Sequence, residues 1–274
     1  MTTTKRLGLG ALAAACAIAL ALLHGAPTMM IMAYGAASGA GLLLGRLPLR
    51  TLAERAPPVS ILIASVMVLV AIWGVGADEV RRWVALGPLR LQPSLFLIPL
   101  LLVAPAGRLW AFAMAIAALG LALQPDAATS AALLLALAVR AFAQPSGHAM
   151  VALAAAAAGL VFALMQADPL APVRFIEHVM QDHVAAGAAS LILALIGLLA
   201  GLAALWTRRA PFRSLLAFWL GLALASLAGA YPTPIIGLSV SAAFGFWISL
   251  SMMLGRRVDH DRRRPKIIPL SARR

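Results

Sequence analysis

Residues 81–94 read RRWVALGPLRLQPS: two adjacent arginines, a tryptophan, a Gly-Pro and a Gln-Pro-Ser, set between the apolar runs 58–76 and 93–106. The chain of 274 residues is 63% apolar and 11% charged, with a mean hydropathy of +0.96. That much apolar surface exceeds what one globular core can hide, so a bilayer must solvate the flanking runs and the polar stretch must sit at its surface. Backbone groups in lipid have to be bonded within their own segment. With no alternating pattern for a barrel, the fold class is all-α, a polytopic transmembrane helical bundle.

Working outward, apolar runs bounded by Pro, Gly and charge predict about ten spans: 7–23, 28–45, 58–76, 93–106, 109–123, 128–143, 148–166, 187–206, 213–230 and 233–255. The fourth and fifth are short for a bilayer. Read as a hairpin that crosses incompletely, they leave eight full crossings and the same orientation. On this pattern one side carries Lys5, Arg6, Arg46, Arg50, Arg55, Arg108, Arg140, Arg208, Arg209, Arg213 and the basic residues from Arg256 to Arg274. The other side has only Arg81, Arg82, Arg90 and Arg174. Such asymmetry puts both termini in the cytoplasm of a multi-pass inner-membrane protein. Asp78, Glu79, Asp126, Asp168, Glu177 and Asp182 sort to the outer side, making it the place to look for polar chemistry.

The net charge of +13 follows the loops and the tail, so it predicts contact with membrane lipids and no nucleic-acid partner. Residues 1–255 read as one transmembrane domain and 256–274 as a disordered basic cytoplasmic tail drawn to anionic headgroups. The run after Lys5 and Arg6 is long enough to span and reads as a retained signal anchor. One cysteine, Cys16, excludes a disulfide framework within the chain.

Two external connectors are substantial, 77–92 and 166–186. In the second, Phe175, Ile176, Val179, Met180 and Val184 recur at helical spacing and predict an amphipathic surface helix. Its Glu177 and Asp182 have an ordinary reading as a solvated face. Arg81 and Arg82 have theirs as partners of Asp78 and Glu79. Trp73, Trp110 and Trp206 fall near span ends and read as interfacial anchors. Gly35 with Gly39, Gly41 with Gly45 and Gly197 with Gly201 are spaced for close helix contact. His178, Asp182 and His183 have a spacing compatible with a metal, but no further ligand cluster supports one, and no metal site is expected.

The order of these landmarks resembles the FtsW/RodA class of cell-wall polymerases, the shape, elongation, division and sporulation family. Arg82-Trp83, Leu86-Gly87-Pro88 and Gln92-Pro93-Ser94 resemble the family's external Arg-Trp, Leu-Gly and Gln-Pro-Ser-Glu. Gln124-Pro125-Asp126 followed by Thr129 resembles its Gln-Pro-Asp-x-Gly-Thr, and Pro232 to Gly237 its closing Pro-x-x-Gly loop. The span count and the long loop after span seven agree. Leu95 stands where the family has Glu, Ala128 where it has Gly, and Leu238-Ser239-Val240-Ser241 replaces a Ser-Tyr-Gly-Gly-Ser run. The family's His-Thr-Asp-like context for its catalytic acid has only Glu177-His178 and Asp182-His183 in the corresponding loop. These departures fall on the chemistry more than on the fold.

The resemblance implies glycosyl transfer between lipid-linked disaccharides at the outer leaflet. That chemistry needs a carboxylate to take the acceptor proton, Glu177 or Asp182, and cations to hold the departing diphosphate, Arg81, Arg82 or Arg174. Trp83, Gln92, Ser94 and Asp126 are the supporting residues. No organic cofactor is expected; a divalent cation would arrive only with the substrate diphosphate. A transpeptidase or other divisome membrane protein is the partner the resemblance implies. Two other readings compete: a non-catalytic divisome or elongasome scaffold, and a flippase or transporter for a lipid-linked substrate. The near absence of ionisable residues within the spans argues against an ion-coupled transporter, His148 being the nearest candidate.

Overall fold

In the computed structural model, residues 1–47, 58–77 and 80–254 are described. Helices stand where the apolar runs predict spans: α1 Thr3–Leu23, α2 Thr28–Leu44, α3 Pro58–Trp73, α4 Ser94–Val103, α5 Arg108–Leu123, α6 Ala127–Ala143, α7 Gly147–Leu164, then α9 Ala188–Ala204, α10 Ala210–Ala228 and α11 Val240–Leu254, with a short α8, Val179–Ala186, before α9. Among the described helices α1, α7 and α10 reach 18 residues or more with the hydropathy of a span, and the other apolar helices run 10–17 residues.

Helices apolar on every side must be buried by neighbours or by lipid. Here α6 lies along α10, α3 along α5, α1 along α9, α2 along α11, and α7 against both α5 and α6. The short α4 packs against α10 and α11 and buries Leu95, Ile98, Leu101 and Leu102. Its 10 residues amount to roughly 15 Å of rise, half a bilayer core, so α4 does not cross by itself. Buried hydroxyls bridge helices in place of charge: Trp219 Nε1 donates to Ser249 Oγ at 3.1 Å, and Ser251 Oγ donates to the Leu42 carbonyl at 2.9 Å.

The glycine pairs sort by contact. A Cβ at Gly41 would strike the Phe244 carbonyl, and one at Gly45 would come within 2.6 Å of Ser251 Cβ, so this pair sets the close approach of α2 and α11. Gly35 and Gly39 face open space.

The two ends of the bundle differ in the way the charge pattern predicts. Arg6 donates to the carbonyls of Ala204, at 2.6 Å, and Trp206, at 2.8 Å, and lies 3.9 Å from Met253 Sδ, which brings the start of α1 and the end of α11 to the same end. Arg140, counted with the inner loop charges, is instead 2% exposed. It donates to the carbonyls of Leu102 and Ala104, the cation closing the C-terminal end of α4. Trp110 is likewise no interfacial anchor. It is 3% exposed, its Nε1 donates to the Leu101 carbonyl, and Arg140 stacks on its ring at 4.8 Å. Trp73 and Trp206 do stand exposed at helix ends.

At the other end, most of the stretch 81–94 belongs to a small antiparallel sheet over 75–91, which the reading as a polar connector does not contain. Strands β1 Val75–Ala77, β2 Val80–Leu86 and β3 Leu89–Leu91 pair in sequence order. The turn between β2 and β3 uses Gly87 at φ 58°, a conformation open to glycine at little cost. Alternation along β2 sends Val80 and Arg82 inward and Arg81 to solvent.

The expected amphipathic helix from Phe175 begins later, at Val179, with Phe175 and His178 both at positive φ. The physical reason is competition for backbone bonds. The Ile176 carbonyl accepts from Thr233 N–H at 2.8 Å, the Phe175 carbonyl from Leu238 N–H at 2.7 Å, and Glu177 bridges to Pro232. The same bonds hold 233–238 out of the last helix, which starts at Val240 and not near 233. Gly237 is required there: a Cβ would sit 2.5 Å from the Thr233 carbonyl and 2.9 Å from the Ile176 carbonyl. α8 turns Val179, Met180 and His183 to the bundle and leaves Gln181, Asp182 and Val184 exposed. The tail 256–274, Arg50, Glu54, Arg55, Asp78 and Glu79 lie outside the described residues.

Candidate functional site

The end of the bundle opposite Arg6, the outer end on the charge pattern, gathers the polar residues singled out in the sequence, but into separate groups. The first is a buried brace. Gln92 N–H donates to Ser241 Oγ at 2.7 Å, and its Nε2 donates to Asp126 Oδ2 at 2.7 Å and Ser94 Oγ at 3.2 Å. The other oxygen of Asp126 accepts from Thr129 N–H at 3.0 Å, an N-cap for α6. Gln92, Ser94 and Asp126 are all buried; together they tie the α4 entry to α6 and α11. Trp83 is half-buried on β2.

The second group centres on Arg82, 5% exposed. Its Nε donates to the Gln124 carbonyl at 2.9 Å and its Nη2 to the Pro125 carbonyl at 2.9 Å, while Nη2 meets Asp168 Oδ2 at 2.6 Å. The guanidinium thus closes the α5–α6 junction against the long external loop. Its neighbour on the strand, Arg81, donates to the Ile72 carbonyl at the end of α3. Glu177 is near Arg82 and Asp168, and its Oε2 accepts from Val173 N–H at 2.9 Å. Burial pushes the Glu177 carboxyl above its usual range, against the opposing pull of the Val173 bond and of Arg82. The Tyr231 phenol, in the facing loop, is raised by burial and by Asp168 and Asp126.

The raised Glu177 value has a stability consequence. A group whose folded-state pKa lies above its unfolded one stabilises the fold below the unfolded pKa and loses that contribution as pH rises. Glu177→Gln, which keeps an acceptor for Val173 N–H, is therefore expected to melt above the parent at neutral pH. The gap closes below pH about 4. Thermal unfolding in detergent across pH reads this directly, and an unchanged gap at both ends would contradict it.

The third group is a cavity of about 310 Å³ between α1, α8 and the external loop. Ala17, Leu20, Ala21 and Leu238 make its apolar floor, and Arg174, Asp182, His24 and His183 its polar rim. Arg174 lies over the Phe175 ring at 4.7 Å. Of the residues expected to do chemistry, Asp182 and Arg174 share this cavity. Glu177, Arg81 and Arg82 do not line it. His24, His183 and Ser190 were not among the expected site residues. His24 Nε2 is 2.8 Å from Ser190 Oγ, which is 2.9 Å from His183 Nδ1. The sequence singles out His183 only through its spacing with His178 and Asp182, and no motif surrounds His24 or Ser190. Among the described residues no three His, Cys, Asp or Glu side chains converge as a metal cluster would require.

This architecture is that of crystal structures of the rod shape determining protein RodA from Thermus thermophilus. A point variant of that protein aligns with TM-score 0.64 at 22% identity over 92% of this chain and 96% of that one; the parent aligns with TM-score 0.63 at 21% over 94% and 96%. A chain from a structure describing coordination of polymerization and crosslinking by a peptidoglycan synthase complex aligns with TM-score 0.59 at 23% identity, over 94% of this chain and 98% of that one. No family model and no curated protein matches the sequence.

Proposed function

We propose that this integral membrane protein acts in cell-wall synthesis at the outer leaflet of the cytoplasmic membrane, lengthening a glycan from lipid-linked disaccharides. The observation that carries the reading is that Asp182 and Arg174 both line one cavity with an apolar floor. That is the shape a sugar diphosphate on a hydrocarbon chain requires. Asp182 is solvent-exposed and takes the proton from the acceptor hydroxyl as its oxygen bonds to the donor's anomeric carbon. The bond from that carbon to the diphosphate breaks, the electron pair leaves with the lipid diphosphate, and Arg174 meets the charge that develops. Arg82 acts through the loop that carries Arg174, and Glu177 braces that loop. The similarity to RodA and to the synthase complex supports the reading, and in the same reading a membrane transpeptidase crosslinks the product.

Reconstitution tests it. The full chain in vesicles containing lipid-linked disaccharide, with and without a transpeptidase, is expected to make glycan strands resolvable on a gel. The Glu177→Ala, Asp182→Ala double variant is expected to make none. Strands of equal yield from the double variant remove the assignment. No strands from the parent under either condition leave the chain as a scaffold.

A further inference from the structure

Two histidines of the cavity lining, His24 and His183, are joined in a hydrogen-bonded chain through Ser190, which is not itself a lining residue, and the transfer step above does not use them. His24 stands at the C-terminal cap of α1, His183 on α8 and Ser190 in the first turn of α9. Ser190 Oγ lies within hydrogen-bonding distance of both imidazoles, whose ring centroids are 5.2 Å apart at 47°. A hydroxyl has one proton to donate and lone pairs to accept. With both rings neutral, one ring N–H donates to Ser190 and the Ser190 hydroxyl donates to the other ring. One further proton fits on the outer nitrogen of the donating ring without breaking either bond. A second would have to displace the Ser190 proton and set two cations face to face. The chain therefore accepts one proton and resists two.

The charges facing this pair nearly cancel. Arg174 of the external loop and Asp182 of α8 are the charged groups on the cavity wall. Beyond His24, the outer part of α1 has no ionisable side chain, α9 has none, and 235–238 is apolar. The Tyr34 hydroxyl of α2 is turned to the Ile235 carbonyl at 2.8 Å. Burial, with His24 adding to it, holds His183 below its usual value, while Asp182 opposes both. Burial thus disfavours a charge on His183, and with one arginine against one carboxylate the cavity wall has no net charge to offer an anion.

We propose that His24, Ser190 and His183 form a proton-coupled clamp for a diphosphate group: the entering anion draws one proton onto the imidazole pair, and the protonated pair holds it together with Arg174. This rests on the cavity being the diphosphate site of the proposed function and adds its regulation. Departure of the lipid diphosphate returns the proton, so product release becomes easier as pH rises.

The probe is inorganic pyrophosphate, titrated calorimetrically into the full chain in detergent, in two buffers of different ionisation enthalpy. Pyrophosphate itself titrates, so the readout is the difference between the parent and a His24→Gln, His183→Gln variant. The parent is expected to take up about one more proton than the variant, and its affinity to fall about tenfold more steeply per pH unit above neutrality. Ser190→Ala keeps both rings, cuts the chain, and is expected to lose most of that difference, which covers the case of a double variant that does not fold. Farnesyl diphosphate, run in parallel, binds more tightly than pyrophosphate if the apolar floor takes the hydrocarbon, and equally if the headgroup alone is held. Equal proton uptake in parent and variants, or no pyrophosphate binding by the parent, overturns the clamp. No turnover is read. Binding with proton uptake but no glycan product would therefore sink the polymerase reading alone, and product made without proton uptake would sink the clamp alone.

Discussion

Asp182→Asn is expected to lower glycan polymerisation by 10²–10⁴-fold, the range a positioned general base usually supplies, while Glu177→Gln changes it little. The asymmetry follows from placement. The Asp182 side chain is exposed in the cavity that Arg174 also lines, where an acceptor hydroxyl can reach it. The Glu177 carboxylate is occupied by Val173 N–H, and its backbone bridges to Pro232. Asn keeps the size and the acceptor oxygen of Asp but cannot take a proton, so the variant should hold a lipid diphosphate at least as well as the parent. With one negative charge removed from the cavity, binding should if anything tighten. The informative pattern is a collapse in kcat with KM unchanged or lowered, measured in vesicles with the protein's melting temperature unshifted. Equal losses for Glu177→Gln and Asp182→Asn would move the acid to the Arg82 group.

The spans were legible because each apolar run is closed by a local stop. Pro27 precedes α2, Pro58 begins α3, and Asp126 and Ser146 cap α6 and α7 through their own side chains. What failed is non-local. Nothing in PTPIIGL announces that Thr233 and Leu238 donate to carbonyls at 176 and 175; apolarity alone runs the last span back to 233, and only the resemblance marks 232–237 as a loop. The short hairpin does carry a local signal, Gly87-Pro88 between two short strands. The same limit governs the site. Asp78 and Glu79 lie outside the described residues; among those described, the ion pair of Arg82 is with Asp168, 86 residues on. His24, at the end of a span with no motif around it, reaches the cavity only because α1 packs along α9.

Arg82→Ala should be the most destabilising single change at the outer end, by about 3–5 kcal/mol. Three acceptors lose their donor at once: the Gln124 and Pro125 carbonyls and the Asp168 carboxylate. The first two belong to the α5–α6 junction and the third to the long loop, so no neighbouring side chain replaces a fork that reaches both. The Asp168 side chain is 23% exposed against 7% for Arg82, so water recovers part of the cost there and the lower end of the range applies. Asp168→Asn should cost much less, because Arg82 keeps both carbonyls, and the double variant should fall short of the sum of the singles. Cys16, buried between α1 and α9 beside Gly197, supplies the probe: a thiol-reactive fluorophore labels it only when those helices part. The melt followed this way should drop by about 10 °C in Arg82→Ala. A melt within about 0.5 kcal/mol of the parent would mean that the guanidinium is not bracing the loop. Arg82 would then return to the role the sequence suggested for it, a cation available to the diphosphate.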